Sequence, residues 1–204
     1  MKENSTGELA RPTTARGEAT RRKILRAAEQ EFGEKGFHAG SVSGITSLCG
    51  VAQGTFYIYF RSKEEIFREL VRDIGAQLRA AMRASAEQGR DRLEAERRGL
   101  EGFIGFVSEH PRLYRVVQEA HFVDEQVYRD YYNDIARAYA QVLEQAAAAG
   151  ELRPGDAEVR AWAIMGIGHF LGLRYCLWQG RRPSARTFDE VMDFIASGIA
   201  PRPE

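Results

Sequence analysis

Apolar residues recur along most of this chain at intervals of three and four, the spacing of helices that bury one face. Ile24, Leu25, Ala28 and Phe32 mark a first helix over residues 17–35, which Gly36 should end. Ser41 is a good N-cap for a short second helix with Val42, Ile45 and Leu48 as its buried stripe. Gly50 stands where a left-handed residue ends a helix at little cost. A third short helix over residues 53–59 offers Phe56 and Phe60 to the core. Ser62 and Glu65 form a capping box, and Ile66, Leu70, Ile74, Leu78 and Met82 continue from it as one long helix. After a charged stretch over residues 88–98, Leu100, Phe103, Ile104 and Val107 resume a helical face, which breaks at His110-Pro111. A short helix over about 113–120 follows. Asp124 or Glu125 then opens a longer one, with Tyr128, Tyr131 or Tyr132, Ile135, Tyr139, Val142 and Ala146 in its stripe. Gly150 and the Arg153-Pro154-Gly155 turn separate that helix from another over 157–179, capped by Asp156. Phe188, Val191, Met192, Ile195 and Ile199 trace the last. The expected fold is all-α, with about nine helices.

The stretch 41–63 has the plan of a helix-turn-helix, whose second helix enters the DNA major groove. At Ser41, Val42, Ile45, Gly50, Val51, Gly54, Thr55, Tyr57, Phe60, Lys63 and Glu64 it resembles the TetR/AcrR family of bacterial transcriptional repressors. With the preceding helix, the resemblance covers about residues 17–72. Residues 85–204 resemble that family only in layout. The resemblance implies an N-terminal three-helix DNA-binding domain and a larger helical domain for ligand binding and dimerisation. It also implies that a ligand moves the long helix after Ser62 and so changes the spacing of two recognition helices. Three positions depart from the pattern. Gly44 leaves the second helix without its usual acidic capping partner, Ala52 removes a hydroxyl from the turn, and Tyr59 stands where His is frequent.

Composition changes this picture little. An apolar fraction of 44% with 28% charged residues is ordinary for a globular protein. Net charge is zero, yet residues 1–63 carry ten Lys/Arg against six Asp/Glu, while the remainder carries 19 against 23. A basic end on an acidic body suits phosphate binding by one end only, though so small an offset is also common on solvated surfaces. Residues 1–16 lack periodicity and are expected to be a disordered arm, with Arg11 and Arg16 either solvated or touching DNA. Arg21, Arg22 and Lys23 can meet phosphates or simply face water. Cys49 and Cys176 form no CxxC pair and read as reduced structural thiols, with a redox sensor as the other reading. No apolar signal segment opens the chain, and His169 and Arg174 interrupt the apolar run 161–178, so a cytoplasmic protein without a membrane span is expected.

The residues that carry chemistry fall into two sets. Gln53 can read adenine through a bidentate carboxamide, and Gly54 lets backbone approach DNA. Ser41, Thr55, Tyr57, Tyr59 and Lys63 complete the DNA-binding candidates, mostly as phosphate contacts. In the larger domain Phe103, Tyr114, His121, Phe122, Tyr128, Tyr132, His169, Phe170, Arg174 and Tyr175 are candidates to line a ligand cavity, although each also suits ordinary core packing. His110, Glu119, His121 and Asp124 are the one group to weigh as a metal or acid–base site. Their spacing argues against it, because Glu119 and His121 lie on different helix faces. No catalytic, metal or cofactor site is therefore expected. The helix over 157–179 is apolar nearly all round, so it needs neighbours on both sides. A second subunit, paired through the last two helices, is the expected partner on one of them. The function read from all this is a dimeric repressor on a palindromic operator, released by a small, largely apolar molecule. The alternative is a carrier or sensor that no longer reads DNA.

Overall fold

The computed structural model describes residues 14–199. The arm expected over residues 1–16 therefore lies mostly outside the described residues. Thr14 begins what is described: its hydroxyl accepts the Gly17 N–H at 3.1 Å and caps α1 (Ala15–Ala39), two residues earlier than the sequence suggests. α1 is broken at Gly36, whose φ of 76° and ψ of 167° admit glycine and little else. Beyond the break the chain makes one more turn, then α2 (Val42–Cys49) and α3 (Gln53–Tyr59) follow. Gly50 joins them in the left-handed conformation, with φ 62° and ψ 39°.

The buried face of α2 corrects the sequence reading. Leu48 is 46% exposed, whereas Ile45, Thr46 and Cys49 are buried and Val42 packs beside them. A step of six residues turns 240° around a helix, so Leu48 cannot share a face with Val42. Steps of three, four and seven do.

The missing capping partner on α2 is supplied from elsewhere. Glu31, 2% exposed on α1, accepts the Ser41 N–H at 3.2 Å and pairs with Lys35 at 2.8 Å. Ser41 in turn accepts the Gly44 N–H at 3.0 Å. These are the two bonds of a capping box, with the carboxylate arriving from another helix. Gly44 makes room for it: a methyl there would collide with the Glu31 carboxylate. Gly44→Ala should therefore destabilise the protein by about 1 kcal/mol. Overpacking of about 1–3 kcal/mol outweighs the roughly 1 kcal/mol that alanine gains in a helix. A denaturant titration in which the alanine variant is the more stable would refute that account.

α4 (Lys63–Ala86) starts at Ser62, which accepts the Glu65 N–H at 3.1 Å, while Glu65 accepts the Arg61 N–H. Its stripe, Ile66, Phe67, Leu70, Val71, Ile74, Gly75 and Leu78, is buried without interruption. α5 (Arg92–Glu109) packs along α4, and Pro111 opens α6 (Pro111–Val123). Asp124 caps α7 (Glu125–Ala148), in which Leu143 is buried and Val142 is 39% exposed, the reverse of the expected stripe. α8 (Ala157–Leu171) runs on through π-helical turns over Gly172–Trp178, and α9 (Ala185–Ile199) completes the described residues.

Two apolar clusters hold the helices together. The first starts in α1–α3 and continues through α4 to Phe106, Val117 and Tyr131 of α5, α6 and α7. The second unites α5, α7, α8 and α9. Met192, Ile195 and Ile199 of α9 belong to this second core, with Phe188 and Val191 packed against it. These five residues, expected to form a contact with another subunit, are thus occupied within the protomer. Cys49 and Cys176 are both free and buried, one in each cluster. Among the described residues no helix is long and apolar enough to cross a membrane.

Candidate nucleic-acid interface and effector region

α3 is fixed by Phe56 and Phe60, both buried, with ring centroids 5.7 Å apart. That anchoring turns Gln53, Gly54, Tyr57 and Ile58 outward. No described residue packs within 4 Å of where a Gly54 Cβ would sit, so the backbone there is open to approach. Tyr57 is half exposed with its ring edge on Phe56; Thr55 and Tyr59 are half-buried. Ala52 gives α3 no side-chain cap, as its lost hydroxyl implies. The Ser41 hydroxyl already caps α2 and lies 3.2 Å from the Ser43 hydroxyl.

Lys63 is placed otherwise than expected. Its ammonium donates to the carbonyls of Phe37 at 2.9 Å, Gly40 at 3.0 Å and His38 at 3.5 Å, and sits 4.3 Å from the Phe37 ring centroid. All three N–H donors have acceptors inside the protein, so Lys63 staples the end of α1 to the start of α4. The phosphate contact read from its motif position gives way to this. Arg21 is diverted in the same way, paired with Glu69 at 2.7 Å and lying over the Phe60 ring. Arg22 and Lys23 stay exposed.

The ten effector candidates fall into separate places. Tyr114, wholly buried on α6, and Tyr132 on α7 both reach His169 Nδ1 of α8, at 2.6 and 3.3 Å. Gln118 donates to the Tyr132 oxygen at 3.4 Å. Phe103 closes on Tyr114 edge to face, and Tyr128 and His121 extend the aromatic array from Tyr132. Phe122 and Phe170 touch its margin, edge to face with His121 and His169, but are themselves 82% and 67% exposed. Arg174 and Tyr175 lie instead in an open groove of about 530 Å³ between the end of α8 and α9, with Ile167, Leu171, Arg186, Val191 and Phe194.

Burial sets the charge of the Tyr114–His169–Tyr132 cluster. It lifts both phenols far above their ordinary range and lowers the imidazole. In the tautomer that accepts from the Tyr114 phenol at Nδ1, a neutral His169 carries its own proton on Nε2. Because its pKa falls on folding, the unfolded chain takes up the proton first, and stability is lost as pH drops below about 6.5. His169→Gln removes this titration. Its melting temperature should fall less than the wild type's between about pH 7.5 and about pH 5.5. Equal losses would place the acid sensitivity elsewhere.

The four residues weighed as a metal or acid–base group have other work. Glu119 accepts the Phe37 N–H at 2.9 Å, Asp124 caps α7 and pairs with Arg68 at 3.2 Å, and His110 packs on Phe106. Sequence reasoning missed Glu31, weighed Glu119 only as a metal or acid–base ligand, and passed over the exposed Ile58. The first two act through contacts far along the chain, whereas an apolar residue on the outward face of α3 was visible in its helical phase.

Residues 24–70 match the family model for "Bacterial regulatory proteins, tetR family". Over 193 residues, 92% of this chain and 96% of the relative, the sequence is 28% identical to the uncharacterized HTH-type transcriptional regulator YdgC of Bacillus subtilis. It is 40% identical to the HTH-type transcriptional regulator UidR of Escherichia coli K12, over 52 residues and 26% of each chain. A TetR family transcription regulator from Marinobacter aquaeolei superposes with a TM-score of 0.72 at 21% identity, covering 92% of this chain and 98% of that one. FadR from Bacillus subtilis, in complex with stearoyl-CoA, gives 0.73 at 20% identity, covering 87% and 98%. At these identities the superpositions bear on fold alone.

Proposed function

From the premise that this chain belongs to the tetR family of bacterial regulatory proteins, we propose that it is a dimeric repressor that a small, largely apolar molecule releases from a palindromic operator. Residues 17–61 are the DNA-binding unit in this reading, and residues 62–204 hold the effector and the dimer contact. The observation that carries it is α3, set on buried Phe56 and Phe60 with Gln53, Gly54 and Tyr57 facing out. Gln53 reads an adenine edge, while Ser41, Thr55, Tyr57 and Tyr59 hold the backbone that positions it. Selection of duplexes from a random pool, followed by footprinting, tests this. Recovery of a two-fold symmetric site supports it; failure to enrich any duplex leaves the carrier reading.

The uncharged Tyr114–His169–Tyr132 cluster, with Phe103 packed on Tyr114 and Tyr128 on Tyr132, suits an effector with an apolar body and one hydrogen-bond acceptor. An acyl chain, such as FadR holds in stearoyl-CoA, has that character.

For the dimer, α8 presents Val159, Trp162, Gly166 and Phe170 along one helical face, with open space among the described residues where a Gly166 Cβ would sit. On α9 Phe194 is 73% exposed. These, rather than the buried α9 stripe, are the residues to meet a second copy about a two-fold axis. Phe194→Asp should give a folded monomer at micromolar concentration, because the ring is mostly exposed within the protomer. Ile195→Asp, by contrast, should unfold the chain by burying a charge. Sedimentation showing a monomeric wild type would remove the dimer.

A further inference from the structure

We infer that Ile58 is a specificity-determining residue that recognises the C5-methyl group of a thymine in the major groove. The inference rests on the DNA-binding reading of α3 and adds to it the kind of base that this position selects.

Ile58 is 66% exposed in the middle of the DNA-binding unit, on a helix only seven residues long. It has no part in the core, which Phe56 supplies from the opposite face of the same helix and Phe60 from just beyond its end. Gly54 lies one turn before it, on the same side, and leaves open space where a side chain would otherwise stand. The outward face of α3 thus has a bare backbone step at Gly54 with a branched aliphatic beside it. Gln53 and Tyr57 flank that step and carry the polar groups.

A branched aliphatic offers no hydrogen bond, so it cannot read the donor and acceptor pattern of a base edge. The one apolar group displayed on base edges in the major groove is the thymine methyl. Against any other base, Ile58 would cover a polar edge without satisfying it, which costs affinity. A thymine methyl seated in the step beside Gly54 buries both apolar surfaces together. The reading divides labour on one helix, the carboxamide of Gln53 for adenine and Ile58 for thymine.

Replacing thymine by deoxyuridine removes that methyl and leaves every hydrogen-bonding group in place. The duplex for the test is the one that the wild-type protein enriches from a random pool, with each thymine changed singly to deoxyuridine. Wild type should lose about fourfold in affinity at one thymine per half-site, the worth of one buried methyl. Ile58→Ala, which at so exposed a position leaves the fold intact, should bind more weakly overall and show no loss at that thymine. A loss of the same size in Ile58→Ala, or a wild type insensitive at every thymine, overturns the assignment while DNA binding stands. Failure of the wild type to enrich any duplex overturns the DNA-binding reading itself and this inference with it.

Discussion

Replacing Lys63 with Met should lower the free energy of unfolding by about 2 kcal/mol and leave the salt dependence of DNA binding unchanged. Methionine keeps an unbranched stem and removes the ammonium, which also sits over the Phe37 ring. The carbonyls of Phe37, His38 and Gly40 then lose their common donor. Hydrogen bonds to a charged group contribute about 1.5–3 kcal/mol each when buried. Lys63 is only half-buried, so the three together are placed near the value of one. The motif position of Lys63 suggests the other role, a phosphate contact. In that case the substitution would leave stability nearly unchanged and flatten the slope of affinity against salt by about 0.9 per protomer, about 1.8 for a dimer on its operator. Denaturant unfolding and a salt series on one selected duplex separate the two. A flattened slope with full stability would return Lys63 to the DNA.

That residue shows where the sequence is legible and where it stops. The helix-turn-helix could be read because its signals are local: the Ser41 and Ser62 caps, left-handed Gly50, and Phe56 and Phe60 four residues apart. The same spacing that announces Lys63 says nothing of the three carbonyls at the end of α1, 23 to 26 residues away, that hold it. Glu31 was equally hidden. It looks like one more charge in a polar helix until α2 folds against it and Gly44 leaves it room. In the larger body, periodicity found the helices but not their partners. The α9 stripe is apolar whether it packs on its own chain or on another copy, and only the fold shows Ile195 buried and Phe194 bare. His169 is similar: its polarity among apolar neighbours was visible, but its two phenol partners come from α6 and α7.

Replacing Glu119 with Ala should weaken the coupling between effector and DNA by roughly fivefold, about 1 kcal/mol, in a protein that still folds. The sequence points to α4 alone as the lever between the two regions, through Ile74, Leu78 and Met82. The structure adds α6 beside it. Tyr114 on α6 meets His169 in the proposed effector region, and Glu119, five residues further along, accepts the Phe37 N–H. The Glu119 carboxylate also stands 2.6 Å from where a Gly36 Cβ would lie, against the break in α1. Phe37 is therefore held twice, at its N–H by α6 and at its carbonyl by Lys63 of α4. On the proposed reading, an effector that displaced the Tyr114–His169 pair would shift the helix that ends on this joint. It can move the DNA equilibrium only by its differential affinity for the two positions, and the coupling must be reciprocal. Alanine at 119 frees the joint, at a stability cost of about 1–3 kcal/mol for an unsatisfied amide. Faster hydrogen exchange at Phe37 would confirm that the joint has opened. The decisive measurement is a duplex titration of wild type and Glu119→Ala, with and without the effector recovered from host cells by mass spectrometry. Leu78→Ala, made in parallel, reports the α4 route. If only Leu78→Ala reduced the coupling while Glu119→Ala kept it whole, the switch would run through α4 and the α6 contact would be structural.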